Sequence, residues 1–342
     1  MGFFKNLIEE LVTEGNQVDI ACNEANEPVL DFYKNLGCKV YPIDCSRSPF
    51  SPNNIKAIFQ LRMTAKDYDI VHCHTPIAAM CTRLACHSLR KKGLRVIYTA
   101  HGFHFYKGAP LLNWLLYYPV EWICAFMTDT LITINKEDYN RAKKHMHAKQ
   151  VEYVPGVGID VDFFKNTVID RDKKREELGV PKDAFVILSV GELNENKNHK
   201  AVIEELNKRN DSNIHYVIAG EGPLKDYLQS IATNCNLHLI GYRNDCNELY
   251  KMADLYVLPS KREGLNVSLI EAKAAGCKTC ASCIRGNMDI KSDFYFSLDN
   301  YFEIIEAIEK LTNTNCDKNY RNSSNYTFDI DKINIQVKKI YG

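Results

Sequence analysis

The chain has 342 residues, 45% of them hydrophobic and 25% charged, with 43 basic side chains against 43 acidic ones. That length favours two globular domains with ordinary cores, and the zero net charge excludes a globally basic nucleic-acid binder or a protein with a dominating acidic tail. The 13 cysteines are odd in number, irregularly spaced and without an expected secretory leader ahead of them, so they read as reduced thiols used as small hydrophobes.

M-G-F-F-K-N-L-I-E-E-L-V-T-E-G predicts an amphipathic helix, with Phe3, Phe4, Leu7, Ile8 and Leu11 at helical spacing and Lys5, Glu9 and Glu10 between them. Position six is Asn6, which argues against the myristoylation that an opening Met-Gly invites. Q-V-D-I-A-C, C-K-V-Y-P-I, D-I-V-H-C-H, R-V-I-Y-T-A, D-T-L-I-T-I and V-E-Y-V-P read as strands, most of them separated by helical patterns. The most apolar window, Pro110 to Phe126, is broken by Asn113, Pro119 and Glu121 and is too short to span a bilayer. Two glycines and a proline in P-G-V-G-I-D-V-D-F-F, Pro155 to Phe164, mark a linker. A second series of strands follows: F-V-I-L-S-V-G, H-Y-V-I-A-G, L-H-L-I-G, L-Y-V-L-P-S and C-K-T-C-A-S-C. The Asn- and Ser-rich run from Thr312 to Tyr326 predicts a surface loop before a last helix, Asp331 to Tyr341.

Continuous apolar strands alternating with helices imply parallel sheets covered on both faces, and two such series imply two Rossmann-like halves. The expected divisions are residues 1–158, residues 159–325, and a C-terminal helix in 326–342 that packs back on the first domain. In open parallel sheets ligands sit beyond the carboxyl ends of the strands, so the residues that follow each strand matter most. After the first strand of the second half come Gly191 and Lys197, a lysine that either reaches phosphate or is an ordinary exposed loop residue. Gly220, Glu221, Gly222 and Pro223 follow the next strand and suit either a close ligand approach or a simple tight turn.

R-E-G-L-N-V-S-L-I-E is more informative. Glu263 falls in the loop at a strand's carboxyl end, and Glu271 falls about two turns into the helix that Gly276 terminates. Between them Gly264, Leu265, Asn266 and Val267 offer backbone amides at a helix N-terminus, which suits a diphosphate. Glu271 then lies where it can accept both hydroxyls of a ribose, and Glu263 where it can hold the hydroxyls of a sugar on that phosphate. The bland reading, a helix-start carboxylate, fits Glu263 but not Glu271. Cys277, Cys280 and Cys283 have the spacing of an iron-sulfur or zinc site, but they lack a fourth ligand and fall where a buried strand is needed. His72 and His74 alternate along a strand onto one face and lack a third metal ligand, so they read as lining or packing. The apolar stretch from Phe103 to Phe126 and the cluster Arg83, Arg90, Lys91, Lys92, Arg95 read either as a membrane-facing patch or as a core helix with solvated cations.

E-G-L-N-V-S-L-I-E-A-K-A-A-G resembles the E-x7-E signature of the retaining family 4 glycosyltransferases. V-G-E-L-N-E-N-K-N-H, G-E-G-P-L, I-G-Y-R-N-D, Y-V-L-P-S-K-R-E-G and I-R-G-N-M-D stand in that family's order. D-I-V-H-C-H-T-P, T-A-H-G-F-H-F-Y-K-G-A-P, L-I-T-I-N-K-E-D and V-P-G-V-G-I-D are similar to its capsular and exopolysaccharide branch.

The resemblance implies an α/β GT-B fold of two Rossmann-like domains with parallel sheets facing across a cleft. It also implies transfer of a hexosyl or N-acetylhexosaminyl group from a nucleotide sugar, a UDP-sugar in this reading, with no metal or other cofactor. By the same resemblance Glu263 contacts the donor sugar and Glu271 the ribose, while Lys197 and the amides of Leu265 to Val267 hold the diphosphate. Gly191, Glu221, Gly222, Tyr242, Arg243 and Arg262 complete the donor side, and His101, His74, Phe103 and His104 form the acceptor side, with His101 facing the reacting sugar. Partners implied are the nucleotide-sugar donor, a polyprenyl-diphosphate-linked or other glycan acceptor and the cytoplasmic face of a membrane, with no nucleic acid. Relatives open with an apolar strand and a glycine-rich loop, so the first strand of the N-terminal domain is expected to be missing here. Two alternatives stay open: a GT-B sugar-nucleotide epimerase, and a truncated, inactive nucleotide-binding paralogue.

Overall fold

The computed structural model describes residues 4–23, 31–46, 48–313 and 326–342. They fall into two compact units, Met1–Gly158 with Asp331–Gly342, and Ile159–Ile330. Phe3 of the predicted first helix, and the predicted loop from 314 to 325, lie outside the described residues.

The first unit begins with α1 (Lys5–Thr13), β1 (Ile20–Cys22), α2 (Asp31–Asn35) and β2 (Val40–Pro42), and the two strands pair in parallel. There follow α3 (Asn53–Thr64), β3 (Ile70–His74), α4 (Pro76–Cys86), β4 (Arg95–Ala100), α5 (Leu111–Ala125), β5 (Thr130–Thr133), α6 (Lys136–His145) and β6 (Gln150–Tyr153). These strands form a parallel sheet in the order β3-β4-β5-β6, and among the described residues no strand joins it to the β1-β2 pair. Alternation along β4 and β5 sorts the core by face. Val96, Tyr98 and Leu131 pack under α3 to α6, whereas Ile97 and Ile132 pack against Leu7 of α1 on the other side.

The second unit contains α7 (Val161–Asn166), α8 (Arg171–Glu177), β7 (Phe185–Val190), α9 (His199–Arg209), β8 (Ile214–Ala219), α10 (Lys225–Ile231), β9 (Asn236–Leu239) and α11 (Cys246–Met252). It continues through β10 (Leu255–Leu258), α12 (Val267–Ala274), β11 (Lys278–Ser282), α13 (Asn287–Ile290), β12 (Phe294–Phe296) and α14 (Phe302–Asn313). Six parallel strands run in the order β12-β11-β10-β7-β8-β9. The chain starts in the middle at β7, winds outward to β9, then returns to β10 and winds outward the other way. Its direction therefore reverses between β7 and β10, the place where such sheets leave a crevice beyond the strand ends. β12 adds a strand to the five read from sequence, because three residues are too few to display a period.

β11 separates the three cysteines spaced like metal ligands. Cys277 joins the core on one face of the sheet, Cys280 joins the core on the other, and Cys283 is exposed. The last helix, α15 (Ile330–Tyr341), lays Ile333 and Val337 on Leu7, Ile97 and Ile132. Lys338 pairs with Glu10 and Glu14, and the Arg95 guanidinium donates to the carbonyls of Ile340 and Tyr341. Among the described residues no helix is long and apolar enough to cross a membrane.

Candidate functional site

In the second unit the loops after β7 and β8, and those after β10 and β11, are held together by backbone contact that only glycine permits. Gly220 has φ +154°, and a Cβ there would lie 1.9 Å from the carbonyl oxygen of Gly191. At Gly222 it would lie 2.5 Å from the Leu193 oxygen, and at Gly286 2.3 Å from the Gly264 oxygen. Hydrogen bonds complete the seam: Gly191 N donates to Ala219 O at 2.9 Å, Leu193 N to Glu221 O at 2.9 Å, and Gly220 N to Gly241 O at 2.7 Å.

The loops on the two sides of the chain reversal are stitched by asparagines. Asn194 Oδ1 accepts from Lys197 N at 2.9 Å, Asn196 Nδ2 donates to Arg262 O at 3.0 Å, and Lys261 N donates to Asn196 O at 2.8 Å. This brings Lys197, from the β7 side, against Glu263, from the β10 side, with Nζ to Oε1 at 2.8 Å. Both side chains are largely shielded, at 18% and 13% exposure. The ammonium stem crosses Gly191, where a Cβ would meet Lys197 Cε at 3.2 Å. A cation and a carboxylate thus stand side by side at the crevice of the sheet.

Beside them α12 begins. Asn266 is buried and caps the helix, its Oδ1 accepting from Leu269 N at 2.9 Å. Among the described residues the amides of Gly264, Leu265, Asn266 and Val267 donate no hydrogen bond, so four N–H groups at the positive end of the helix dipole stay available to an anion. One turn into α12, nearer its start than the sequence spacing suggests, Glu271 accepts one hydrogen bond among the described residues, from Tyr250 Oη to its Oε2 at 2.8 Å, and no described cation pairs with it. Burial pushes its carboxyl above the usual range, and the tyrosine bond only partly offsets that. A buried carboxylate with a single neutral donor is costly unless a ligand completes its bonding.

The remaining donor-side residues divide. Glu221 and Arg262 have exposed side chains, and Tyr242 is 72% exposed. Arg243, expected as a phosphate or base-side contact, is engaged by carboxylates here. Its guanidinium is already committed, with Nε to Asp245 at 2.8 Å and Nη2 to Glu177 at 2.7 Å. The nearby carboxylate of Asp245 satisfies it locally.

In the first unit, His101 follows β4 and its Nε2 lies 3.1 Å from His74 Nδ1, one proton serving the two nitrogens. His72 lies tilted against His74 with ring centroids 4.3 Å apart, and both its nitrogens are used, Nδ1 with Tyr341 Oη at 2.7 Å and Nε2 with Thr99 Oγ1 at 2.8 Å. Burial holds His72 neutral, its pKa lowered to about 3, and burial with its neighbours also keeps His74 well below the ordinary range. Neither ring is set up for a metal. A cavity of about 30 Å³ lies among Phe4, Leu7, His72, His74, His101 and Asn334, room for water but not for a sugar. His101 is the exposed member of the group, so a substrate would meet it from outside.

Phe103, expected on the acceptor side, lies inside the core. It is 3% exposed, stacks on Phe105 at 4.7 Å, and gives its backbone N–H to Asp138 at 2.9 Å. His104 stacks on Tyr117 at 4.5 Å. The expected basic cluster also dissolves. Arg83 is 1% exposed, pairs with Glu121 at 2.8 Å and lies over the Tyr98 ring, Arg90 is bidentate to Asp129, and Arg95 holds the C-terminal helix. Of the five only Lys91 and Lys92 remain exposed. The apolar half of that expectation has a different outcome. The outward side of α5 presents Leu111, Leu112, Leu115, Leu116, Ile123 and Phe126, each 48% to 74% exposed, and the one acidic residue of the helix, Glu121, points inward. α3 repeats the pattern with Ile55, Phe59 and Met63 exposed beside Lys56, Arg62 and Lys66.

Tyr250, Thr99 and Tyr341 escaped the sequence reading because their partners lie on other elements. Asn194 and Asn196 carried a signal, since asparagines in a strand-to-helix turn often bond the neighbouring backbone.

Comparison with known proteins adds an independent observation. Residues 170–327 match the family described as glycosyl transferases group 1, and residues 3–163 match the family described as glycosyltransferase family 4. A protein of Bacillus subtilis (strain 168) described as putative glycosyltransferase EpsD is 39% identical over 313 residues, covering 87% of this chain and 80% of its own. The UDP-Gal:alpha-D-GlcNAc-diphosphoundecaprenol alpha-1,3-galactosyltransferase of Escherichia coli is 27% identical over 355 residues, covering 97% of this chain and 90% of its own. The crystal structure of Anabaena HepE in complex with UDP is similar with a TM-score of 0.76 at 17% identity, over 100% of this chain and 96% of that one, a likeness of fold.

Proposed function

The chain belongs to the glycosyltransferases of group 1 and family 4 and has their α/β GT-B fold, and from that premise we propose that it moves a sugar from a UDP-sugar to a polyprenyl-diphosphate-linked glycan, with retention of configuration, in surface polysaccharide biosynthesis. The observation that carries the donor assignment is Glu271, a partly buried carboxylate with no cation paired to it among the described residues, one turn along the helix whose start presents four uncommitted amides. Amides take the diphosphate, Glu271 takes the ribose hydroxyls, and Glu263 takes hydroxyls of the transferred sugar. The choice of uridine and of a lipid diphosphate acceptor is supported by the name of the Escherichia coli relative.

In this reading the bond from the anomeric carbon to the leaving phosphate oxygen breaks as the acceptor oxygen bonds to the same face of that carbon. The departing phosphate oxygen takes the acceptor proton. Lys197 and the amides stabilise the charge that develops on the diphosphate, and no metal or other cofactor is called for. Glu263 serves as a sugar contact rather than a nucleophile, because its Oε1 is already engaged by Lys197. His101 is the acceptor-side residue nearest the chemistry, supported by its exposure and by the His74 bond that orients it.

A peripheral contact with the cytoplasmic membrane face belongs to the same reading, supported by the apolar outer stripes of α3 and α5 and the lysines beside them. Transfer from UDP-sugars to a synthetic polyprenyl-diphosphate glycan, with the product's anomeric configuration read by NMR, tests the reaction. Inversion, or a trapped glycosyl-enzyme adduct, overturns the mechanism. Flotation with anionic liposomes tests the membrane contact, which is sunk if Leu112, Leu115 and Ile123 changed together to Ser leave flotation unaltered.

A further inference from the structure

We propose that Tyr250 is a positioning residue for the nucleotide ribose: its hydroxyl fixes the Glu271 carboxylate in the orientation that receives the ribose hydroxyls, and it thereby sets the preference for ribose over deoxyribose. The inference rests on the donor-site reading above and adds to it a residue 21 positions away in the chain that never reaches the ligand.

Tyr250 sits on α11 at 1% exposure, its ring held between Phe164 at 6.1 Å and Tyr256 at 5.7 Å. Packed in this way the phenol has little freedom, and among the described residues its one hydrogen bond goes to Glu271 Oε2 at 2.8 Å. A glutamate has three rotatable side-chain bonds and, left alone, spreads over many rotamers. The tyrosine selects among them by tying one oxygen to a fixed point. A carboxylate has about four lone-pair sites, so after Tyr250 takes one of them the others remain for the two adjacent hydroxyls of a ribose. Glu271 lies four residues beyond Val267, a rise of about 6 Å along α12 from the anion-ready amides, a spacing that suits a ribose whose diphosphate rests on the helix start.

A role in packing alone does not account for this arrangement. A phenylalanine would fill the same space between Phe164 and Tyr256, and the core would be freed of a polar group. Burying a carboxylate against one neutral donor makes sense when a second set of donors arrives with a ligand. A site whose polar groups are aimed at a substrate hydroxyl also discriminates strongly against the analogue that lacks it, since the aimed groups are then left unpaired.

The test compares wild type with Tyr250→Phe in calorimetric titrations of the full chain with UDP and with 2′,3′-dideoxy-UDP, with melting temperatures recorded for both proteins. The variant is expected to keep its fold and to bind UDP roughly 5- to 10-fold more weakly, the effect of one hydrogen bond, while its affinity for the dideoxy nucleotide stays the same. The acid limb of UDP binding should also move to higher pH, because the Tyr250 bond pulls the Glu271 carboxyl down against burial. Equal weakening for both nucleotides, or no weakening for either, overturns the positioning role. Wild-type protein that binds the two nucleotides alike, together with a Glu271→Ala variant that binds UDP undiminished, instead overturns the ribose role of Glu271 and the proposal with it.

Discussion

Both units gather polar groups beyond the carboxyl ends of parallel strands, but they build with different material. In the second unit the loops meet backbone to backbone, with Gly220 against Gly191 and Gly286 against Gly264, and the anion-ready groups are amides. In the first unit the meeting is side chain to side chain, His72 on His74 and His74 on His101, over a cavity too small for a ligand. A backbone site suits a ligand part that does not vary, such as a diphosphate, and it tolerates almost no added atoms. A side-chain site can be retuned one residue at a time, which suits an acceptor that differs between enzymes.

The largest effect should come from breaking the backbone seam. Gly220→Ala places a methyl 1.9 Å from a carbonyl oxygen at φ +154°. Overpacking and the left-handed penalty together should destabilise the second unit by about 3 kcal/mol or more and abolish nucleotide binding. Gly276→Ala is the matched control, since it also has positive φ, +79°, but has open space around it. It should cost about 1 to 2 kcal/mol, the conformational part alone. Urea unfolding of the two variants separates the terms, and equal costs would mean that the loop contact is not tight.

The next comparison sets an interior ion pair against a surface one. Arg83 and Glu121 in the first unit are 1% and 9% exposed, whereas Arg243 and Asp245 in the second are both 26% exposed. Arg83→Met strands a buried carboxylate and should cost about 3 to 5 kcal/mol, while Arg243→Met should cost about 1 kcal/mol or less. Denaturant midpoints decide, and if Arg243→Met costs as much as Arg83→Met, then Arg243 is part of the core rather than a surface pair.

These contrasts also explain what could be read from the sequence. Apart from β12, the strands of the three sheets and the loop residues that follow them were legible because continuous apolar runs and glycines leave a local trace. The turn at Gly220, Glu263 in the loop after a strand and Glu271 on the following helix all follow from a strand, a turn and a helix in sequence order, whereas the Asn266 cap does not show in the sequence. Tertiary pairing left no such trace. Arg83, Arg90 and Arg95 look like a basic patch along the chain, and only the fold reveals Glu121, Asp129 and the end of α15 as their partners. Phe103 was misplaced for the same reason, since a single aromatic in a loop does not declare which side it faces. The outward stripe of α5 shows at helical spacing, but an apolar stripe is normally turned to the core, and only the buried Glu121 shows that this helix is turned the other way.

A pH experiment sharpens the comparison further, because each unit holds a buried histidine with a strongly lowered pKa, His72 in the first and His199 in the second. The pKa values of His72 and His199 are both lowered to about 3 from an ordinary 6.5, chiefly by burial. A folded value below the unfolded one means that the unfolded chain binds the proton first. Stability from these groups is therefore whole above about pH 6.5 and is lost as the pH falls toward 3. His72→Gln retains groups able to bond Tyr341 and Thr99 and should flatten the acid loss in the first unit only. Hydrogen exchange between pH 7 and pH 5 would show β3 and β4 protected in the variant while β7 and β8 lose protection as before. Equal loss in both units would show that His72 does not carry the acid sensitivity of its own.

The smallest effect has the opposite sign. Glu271 is a carboxyl whose folded value is raised by burial above the ordinary 4.5, so its ionised form is disfavoured by folding. Its contribution turns unfavourable as the pH rises from the unfolded value through the folded one and stays unfavourable above both. Glu271→Gln removes the charge and keeps an oxygen to accept from Tyr250. It should raise stability by roughly 0.5 to 2 kcal/mol at pH 7, the usual range for relieving such a defect. The gain should shrink as the pH is lowered toward 4, where the wild-type carboxyl is itself protonated, and UDP affinity should fall at the same time. Raised melting temperature with weakened nucleotide binding would mark Glu271 as a group kept for its ligand at the expense of the fold. A variant that melts lower than wild type at pH 7 would instead make the carboxylate a structural element of α11 and α12, and the ribose would then have to be bound elsewhere.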